Sequence, residues 1–176
     1  MNNILPIFSF LKSKSEAGQK TVLVTLVAVT GASTRNPGAH MAVAEDGSFA
    51  GSFSGGCVEA AVVAEALEVA TSGQPREVRF GAGSPYLDLR LPCGGNIDLL
   101  FTPVAGDTIN CDIYDRIRKR QPLTIILDSE NPEICCVAQT SNKVSVERKA
   151  SQHFVHHIPA ARIIILGQGP SVASLA

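Results

Sequence analysis

"KTVLVTLVAVTG" (Lys20 to Gly31) is a near-continuous run of β-branched and leucine residues. Without the alternation of a half-exposed strand, it predicts a strand buried on both faces. "MAVAEDGSFAGSF" (Met41 to Phe53) reads as a hairpin turned by "EDG". From about Cys57 to Thr71 the spacing becomes helical: Val58, Val62, Ala66 and Val69 form one stripe, with Glu59, Glu65 and Glu68 off it. Gly73 and Pro75 in "TSGQP" stop this helix. An earlier helix is predicted over residues 2–17, with Pro6 near its start and Gly18 at its end. "REVRF" and the alternating "NIDLLFTPV" predict strands, with an irregular connection, "GAGSPYLDLRLPCGG", between them. "INCDIYDRIRKR" predicts a helix with basic residues in its last turn, as the macrodipole favours. "PLTIILDS", "EICCVAQT", "KVSVERK" and "HFVHHIP" predict four more strands. The fold class is therefore mixed α/β, a strand-rich domain with a few helices.

The pattern changes at residue 160. "ARIIILGQGPSVASLA" reads as a strand, a Gly-x-Gly turn at Gly167 and Gly169, and the first turns of a helix. This is the opening of a dinucleotide-binding βα unit, in which phosphate sits on a helix N-terminus. Val172 stands at the third position of the fingerprint, so the motif alone is weak. A complete βαβ unit does not fit into this stretch, and the expectation is a fragment of a longer protein. Two domains follow: residues 1–159, and residues 160–176 as the truncated start of a Rossmann-like domain. The alternative is a single domain whose last strand and helix stop there.

Charge and composition remove several function classes. Fifteen Lys and Arg nearly balance sixteen Asp and Glu, without the basic surplus of a nucleic-acid binder. Seven Phe, two Tyr and no Trp leave the packing to aliphatic side chains. No stretch reaches the roughly 18 apolar residues of a membrane span, and the N-terminus lacks the basic region of a signal peptide. The expected location is the cytoplasm. Five cysteines, an odd number without a CxxC pair, argue against a disulfide framework and a zinc ribbon.

The candidate chemistry lies where cysteines meet glycine pairs. Gly55 and Gly56 precede Cys57 at a strand-to-helix turn, and Cys93 precedes Gly94 and Gly95 at the start of a strand. Glycines permit positive φ and close approach of a ligand to the backbone. A helix N-terminus offers unpaired N–H groups and lowers a thiol pKa. Glu59 can accept hydrogen bonds from a ligand or satisfy the helix start itself. Cys57 and Cys93 can alternatively be small buried residues at tight turns. In the loop "GASTRNPGAH", Arg35 is a natural phosphate partner, or a solvated loop residue. His153 and His157 share a face of a strand and His156 points away, so no three-His metal site is expected. Cys135 and Cys136 are expected in the core, and Cys111 in helix packing.

"GASTRNPGAHMAVAEDGSFAGSFSGGCVEAAV" followed by "LPCGGNIDLLFTP" resembles the xanthine dehydrogenase accessory protein family (XdhC/CoxI). The resemblance covers nearly the whole chain, with "IIILGQGP" at the start of the family's Rossmann-like half. Thr34 stands where the family often carries Pro. The resemblance implies a maturation factor for a molybdenum hydroxylase of the xanthine or CO dehydrogenase type, more a cofactor chaperone than an enzyme. Such a factor binds the molybdenum cofactor, assists its sulfuration with a cysteine desulfurase, and delivers it to the apo-enzyme. It implies Cys57 and Cys93 as sulfur groups, with Gly55, Gly56, Gly94 and Gly95 as a cradle. Glu59 is then the acceptor for the pterin ring and Arg35 the phosphate partner. A homodimer is expected as well. Two other classes stay open: a fragment of an NAD(P)-dependent Rossmann oxidoreductase, and a non-catalytic interaction module.

Overall fold

The computed structural model describes residues 3–56, 58–84, 94–104, 113–138 and 145–159. The Gly167–Gly169 turn, Cys57, Cys93 and Cys111 fall outside the described residues.

Helix α1 spans Leu5–Glu16, with Pro6 in its first turn, where a missing N–H costs nothing. Asn3 Oδ1 accepts from Leu5 N at 3.2 Å, and Ile7, Phe8 and Leu11 are buried. Strand β1 (Thr21–Thr30) is followed by the hairpin β2 (His40–Ala44) and β3 (Phe49–Gly51). Asp46 Oδ1 accepts from Ser48 N at 2.9 Å in the hairpin turn, and Gly47 takes φ +78°. Helix α2 (Glu59–Ser72) ends on Gly73, which is left-handed at φ +69° and donates to Val69 O. Then come β4 (Arg76–Gly81), β5 (Asn96–Val104), α3 (Ile113–Arg118), β6 (Leu123–Asp128), β7 (Ile134–Ala138), β8 (Ser145–Lys149) and β9 (Gln152–His157). Every element predicted within the described residues is present, and boundaries move by a few residues.

Among the described residues, nine strands make two antiparallel sheets, β3-β2-β1-β5-β4 and β7-β6-β9-β8. On one face of the first sheet lies α2, whose Val58, Val62, Ala66 and Val69 are fully buried against Val22, Val24 and Leu26. Each buried valine stabilises by roughly 1.5–3 kcal/mol. The opposite face carries Leu23, Val27 and Leu100, which pack under α1, α3 and the second sheet. This two-sided burial is why β1 carries no polar alternation.

Strand β9 sets how the second sheet lies. Glu77, Leu100, Thr25 and His40 form one cross-strand row of the first sheet. At one end of the row, His153 Nε2 lies 3.5 Å from Glu77 Oε2; at the other, His157 Nε2 lies 2.8 Å from His40 Nε2. Three inter-strand gaps span about 14 Å, and four residues of strand rise about 13 Å. Strand β9 therefore runs across the strands of the first sheet, as in orthogonal sheet packing.

Three expectations change on folding. Glu59 and Glu65, placed off the apolar stripe of α2, are only 7% and 4% exposed. Each is buried with partners, Glu65 with Arg76 and Glu59 with its own loop. Cys135 is exposed rather than in the core, because β7 is an edge strand and its outer face is uncovered; Cys136 is half-buried and packs on the core.

Candidate functional site

Antiparallel pairing sends the glycine-bearing connections to one end of the five-stranded sheet. Strands β1, β3 and β4 finish there at Thr30, Gly51 and Gly81; β2 and β5 begin there at His40 and Asn96. Just before this end β1 carries a register shift against β5 between Leu26 and Ala28, a bulge that adds local twist. Gly55 and Gly56 on one connection, Gly94 and Gly95 on another, and Arg35 on a third are thus brought to a common edge.

Backbone contacts tie these connections together. A Cβ on Gly95 would stand 2.4 Å from Thr30 O, and one on Gly31 would stand 3.0 Å from Gly95 Cα. The chain after β1 and the chain before β5 therefore touch backbone to backbone, which only glycine permits at 95. Thr34 Oγ1 donates to Phe53 O at 2.7 Å, joining the loop after β1 to the loop after β3. A proline at 34 has no hydroxyl and makes no such bond. Gly55, Gly56 and Gly94 differ from Gly95. All three have positive φ (+78°, +130° and +70°), and among the described residues nothing lies within 4 Å of where their Cβ atoms would stand. They leave open space at the edge.

Glu59 organises the loop before α2. Its Oε1 accepts from Ser52 Oγ (2.8 Å), Phe53 N (2.9 Å) and Ser54 N (2.8 Å). Its Oε2 accepts from Ser54 Oγ (2.7 Å), Gly56 N (2.7 Å) and Val58 N (3.3 Å). Burial pushes the carboxyl upward in pKa, but hydrogen bonds from the Ser54 backbone and hydroxyl and from Ser52 outweigh it and hold the group well below the usual carboxylate range. Two corrections follow. A carboxylate has about four acceptor sites, and here all are used within the loop, so Glu59 is not free to accept from a pterin ring. Of the N–H groups around the expected anion cradle, those of Gly56 and Val58 point at Glu59 instead. Glu59 fixes both backbone neighbours of Cys57. Ser52 and Ser54 were missed as parts of this network. The legible signal was half a capping box, with Glu59 three residues after Gly56 and ahead of an apolar helix.

Arg35 is exposed, and among the described residues no carboxylate pairs with it; it lines an open cleft of about 250 Å³ together with the first turn of α1. His40, from the same loop sequence, opens β2 and is buried. Its Nδ1 meets Thr25 Oγ1 at 2.9 Å and its Nε2 meets His157, so it serves the contact between sheets. Burial, and then the His157 ring, push its pKa well below the ordinary value. Among the described residues no three His, Cys, Asp or Glu side chains gather as a metal set, and no helix is long and apolar enough to cross a membrane.

The sequence profile of the XdhC and CoxI family matches residues 15–81, a segment that contains the loops after β1 and β3 and the whole of α2. A second likeness agrees with it: 36% identity over 173 residues, 97% of this chain, to the molybdenum cofactor insertion chaperone PaoD of Escherichia coli K12. The chain resembles the XdhC and CoxI family. It spans 54% of the length of PaoD. The fold is also that of a crystal structure described as a xanthine dehydrogenase from Bacillus halodurans. The TM-score is 0.61 at 22% identity, over 91% of this chain and 46% of that one.

Proposed function

We propose that this chain is the N-terminal part of a maturation factor for a molybdenum hydroxylase of the xanthine or CO dehydrogenase type. In this reading it binds the molybdenum cofactor at the glycine-bearing end of the first sheet, supports its sulfuration with a cysteine desulfurase, and passes it to the apo-enzyme. It acts as a chaperone, as a cytoplasmic homodimer, with residues 160–176 opening a Rossmann-like half. The insertion chaperone that the chain resembles supports the maturation role. The observation that carries the site is the convergence of the Gly55–Gly56 and Gly94–Gly95 loops on one sheet edge, tied through Gly31 and Thr34.

The residues present fit an anionic, planar cofactor in two respects. Among the described residues, open space stands beside Gly55, Gly56 and Gly94, and no carboxylate pairs with Arg35, which supplies a cation. Cys57 and Cys93 adjoin this space in sequence, and a soft thiolate suits a molybdenum–dithiolene centre. Glu59 enters as the residue that holds the Cys57 loop, not as a ligand to the ring.

The test is anaerobic retention of the molybdenum cofactor by the purified protein, wild type beside Cys57→Ala and Cys93→Ala. Retention by the wild type and its loss in either variant is the expected result. Equal retention in all three removes the cysteines from the binding role, and none in the wild type sinks the assignment of the site to this half.

A further inference from the structure

Histidines pin both ends of β9 to the first sheet, and the two ends differ in chemistry. At one end the buried rings of His40 and His157 meet Nε2 to Nε2 at 2.8 Å. A contact this short holds one proton between two nitrogens, with one ring donating and the other accepting. Thr25 Oγ1 stands 2.9 Å from His40 Nδ1, and the Phe8 ring of α1 meets His40 edge-on at 5.8 Å. The electrostatic partners of this pair are imidazoles: each other, and His156 beside His157 in the chain. A second proton on the pair sets two cations nose to nose.

At the other end His153 is buried, and among the described residues neither ring nitrogen has a hydrogen bond. Its Nε2 lies 3.5 Å from Glu77 Oε2 on β4, and Arg148 Nη1 on β8 lies 3.4 Å from the same oxygen. Burial pushes this ring below its ordinary pKa; Glu77 and Asp128 push it up, and Arg148 pushes it down. A proton taken up here meets a carboxylate, which offsets part of the cost of burying the charge. Val155, fully buried in the same apolar cluster as Leu100, lies between the two ends of β9.

We propose that β9 is a proton-sensitive clasp that lets go first at the His40–His157 end in mild acid, while the Glu77 end holds. The end that opens is the one beside the glycine-bearing edge. His40 begins β2 there, and Gly51 packs against it: a Cβ on Gly51 would stand 2.8 Å from His40 O and 2.7 Å from Ile7 Cδ1 of α1. Release of His157 therefore loosens the start of β2 and the first turns of α1 together. The clasp stands independently of the cofactor reading.

The test is amide hydrogen exchange of the purified protein between pH 6.5 and 5, corrected for the intrinsic rate, where carboxylates keep their charge. Leu26 N donates to Ala39 O and Gly38 N donates to Leu26 O, so these two amides report the His40 end. The β4–β5 ladder around Glu77 reports the other. For each proton taken up on opening, the open share rises about tenfold per pH unit. Protection of Leu26 and Gly38 should fall at that rate, and protection around Glu77 by less than about threefold over the range. Equal losses at both ends, or no loss at either, overturn the clasp. Glu77→Gln, at a partly exposed edge position, removes the charge that holds the second end, and both ends should then give way together. His157→Gln keeps a hydrogen-bonding partner for His40 without taking up a proton, and should flatten the slope at Leu26 and Gly38. Profiles unchanged in both variants overturn the proposal as well.

Discussion

Replacing Glu59 with Gln tests whether one carboxylate organises the edge. The substitution keeps the size and one acceptor oxygen, and turns the other oxygen into a donor. Where that donor replaces Oε2 it faces Gly56 N and Val58 N, which now donate to that oxygen at 2.7 and 3.3 Å. Donor then meets donor, and the remaining bonds lose their charge assistance. Hydrogen bonds to charged groups contribute about 1.5–3 kcal/mol each, but this loop is partly open to water, which replaces some of them. A net loss of about 3 kcal/mol is expected, which for a chain of this size lowers the melting temperature by about 6–12 °C. The carboxyl is depressed below its ordinary value of 4.5 in the folded state. Its contribution is thus complete above that value and falls as the pH drops below it. The gap between Glu59→Gln and wild type should therefore narrow in acid. Calorimetry at pH 7 and pH 3.5, with hydrogen exchange at the Gly56 and Val58 amides, measures both effects. A melting point within about 2 °C of wild type at pH 7, with unchanged protection of those amides, would refute the reasoning.

Two further predictions concern the glycine edge and the contact between sheets. Gly95→Ala places a Cβ 2.4 Å from Thr30 O, whereas Gly94→Ala enters open space and meets only the strain of φ +70°. Urea unfolding should show Gly95→Ala as the more destabilising, by about 1–3 kcal/mol more than the roughly 1–2 kcal/mol of Gly94→Ala; equal costs would argue against the backbone contact. Burial, and then the neighbouring His156 ring, push His157 down to about 4 from the ordinary 6.5. The unfolded chain binds this proton first, so stability is flat above pH 6.5 and falls toward pH 4, by about 1.4 kcal/mol per pH unit and about 3 kcal/mol in all. His40 adds to the loss in the same direction. Unfolding free energies measured between pH 7.5 and 4 should show this slope, reduced in His157→Leu, and a profile without it contradicts the buried neutral pair.

Local order was legible because its causes are local. The β-branched run of β1, the stripe Val58–Val62–Ala66–Val69 and the stop at Gly73 need only side-chain period and turn chemistry, and they place these elements within a few residues. The glycine pairs were legible as places for open backbone. Partner choice was not legible. His40 and His157, 117 residues apart, read as a loop side chain and part of a predicted strand, yet they meet at 2.8 Å because β9 runs along the row from Glu77 to His40. Glu59 read as a ligand acceptor because its sequence context shows its charge but not that Ser52, Phe53 and Ser54 fold back onto it. Cys135 read as core because an apolar strand does not reveal whether it will lie at a sheet edge. The sequence alone determined which segments become strands and helices and where the backbone stays open, since those depend on residues a few positions apart. Only the tertiary structure decided that two glycine loops share one edge and that the carboxylate beside one of them is already bound. Both depend on which distant strands pair and on every buried polar group finding a partner.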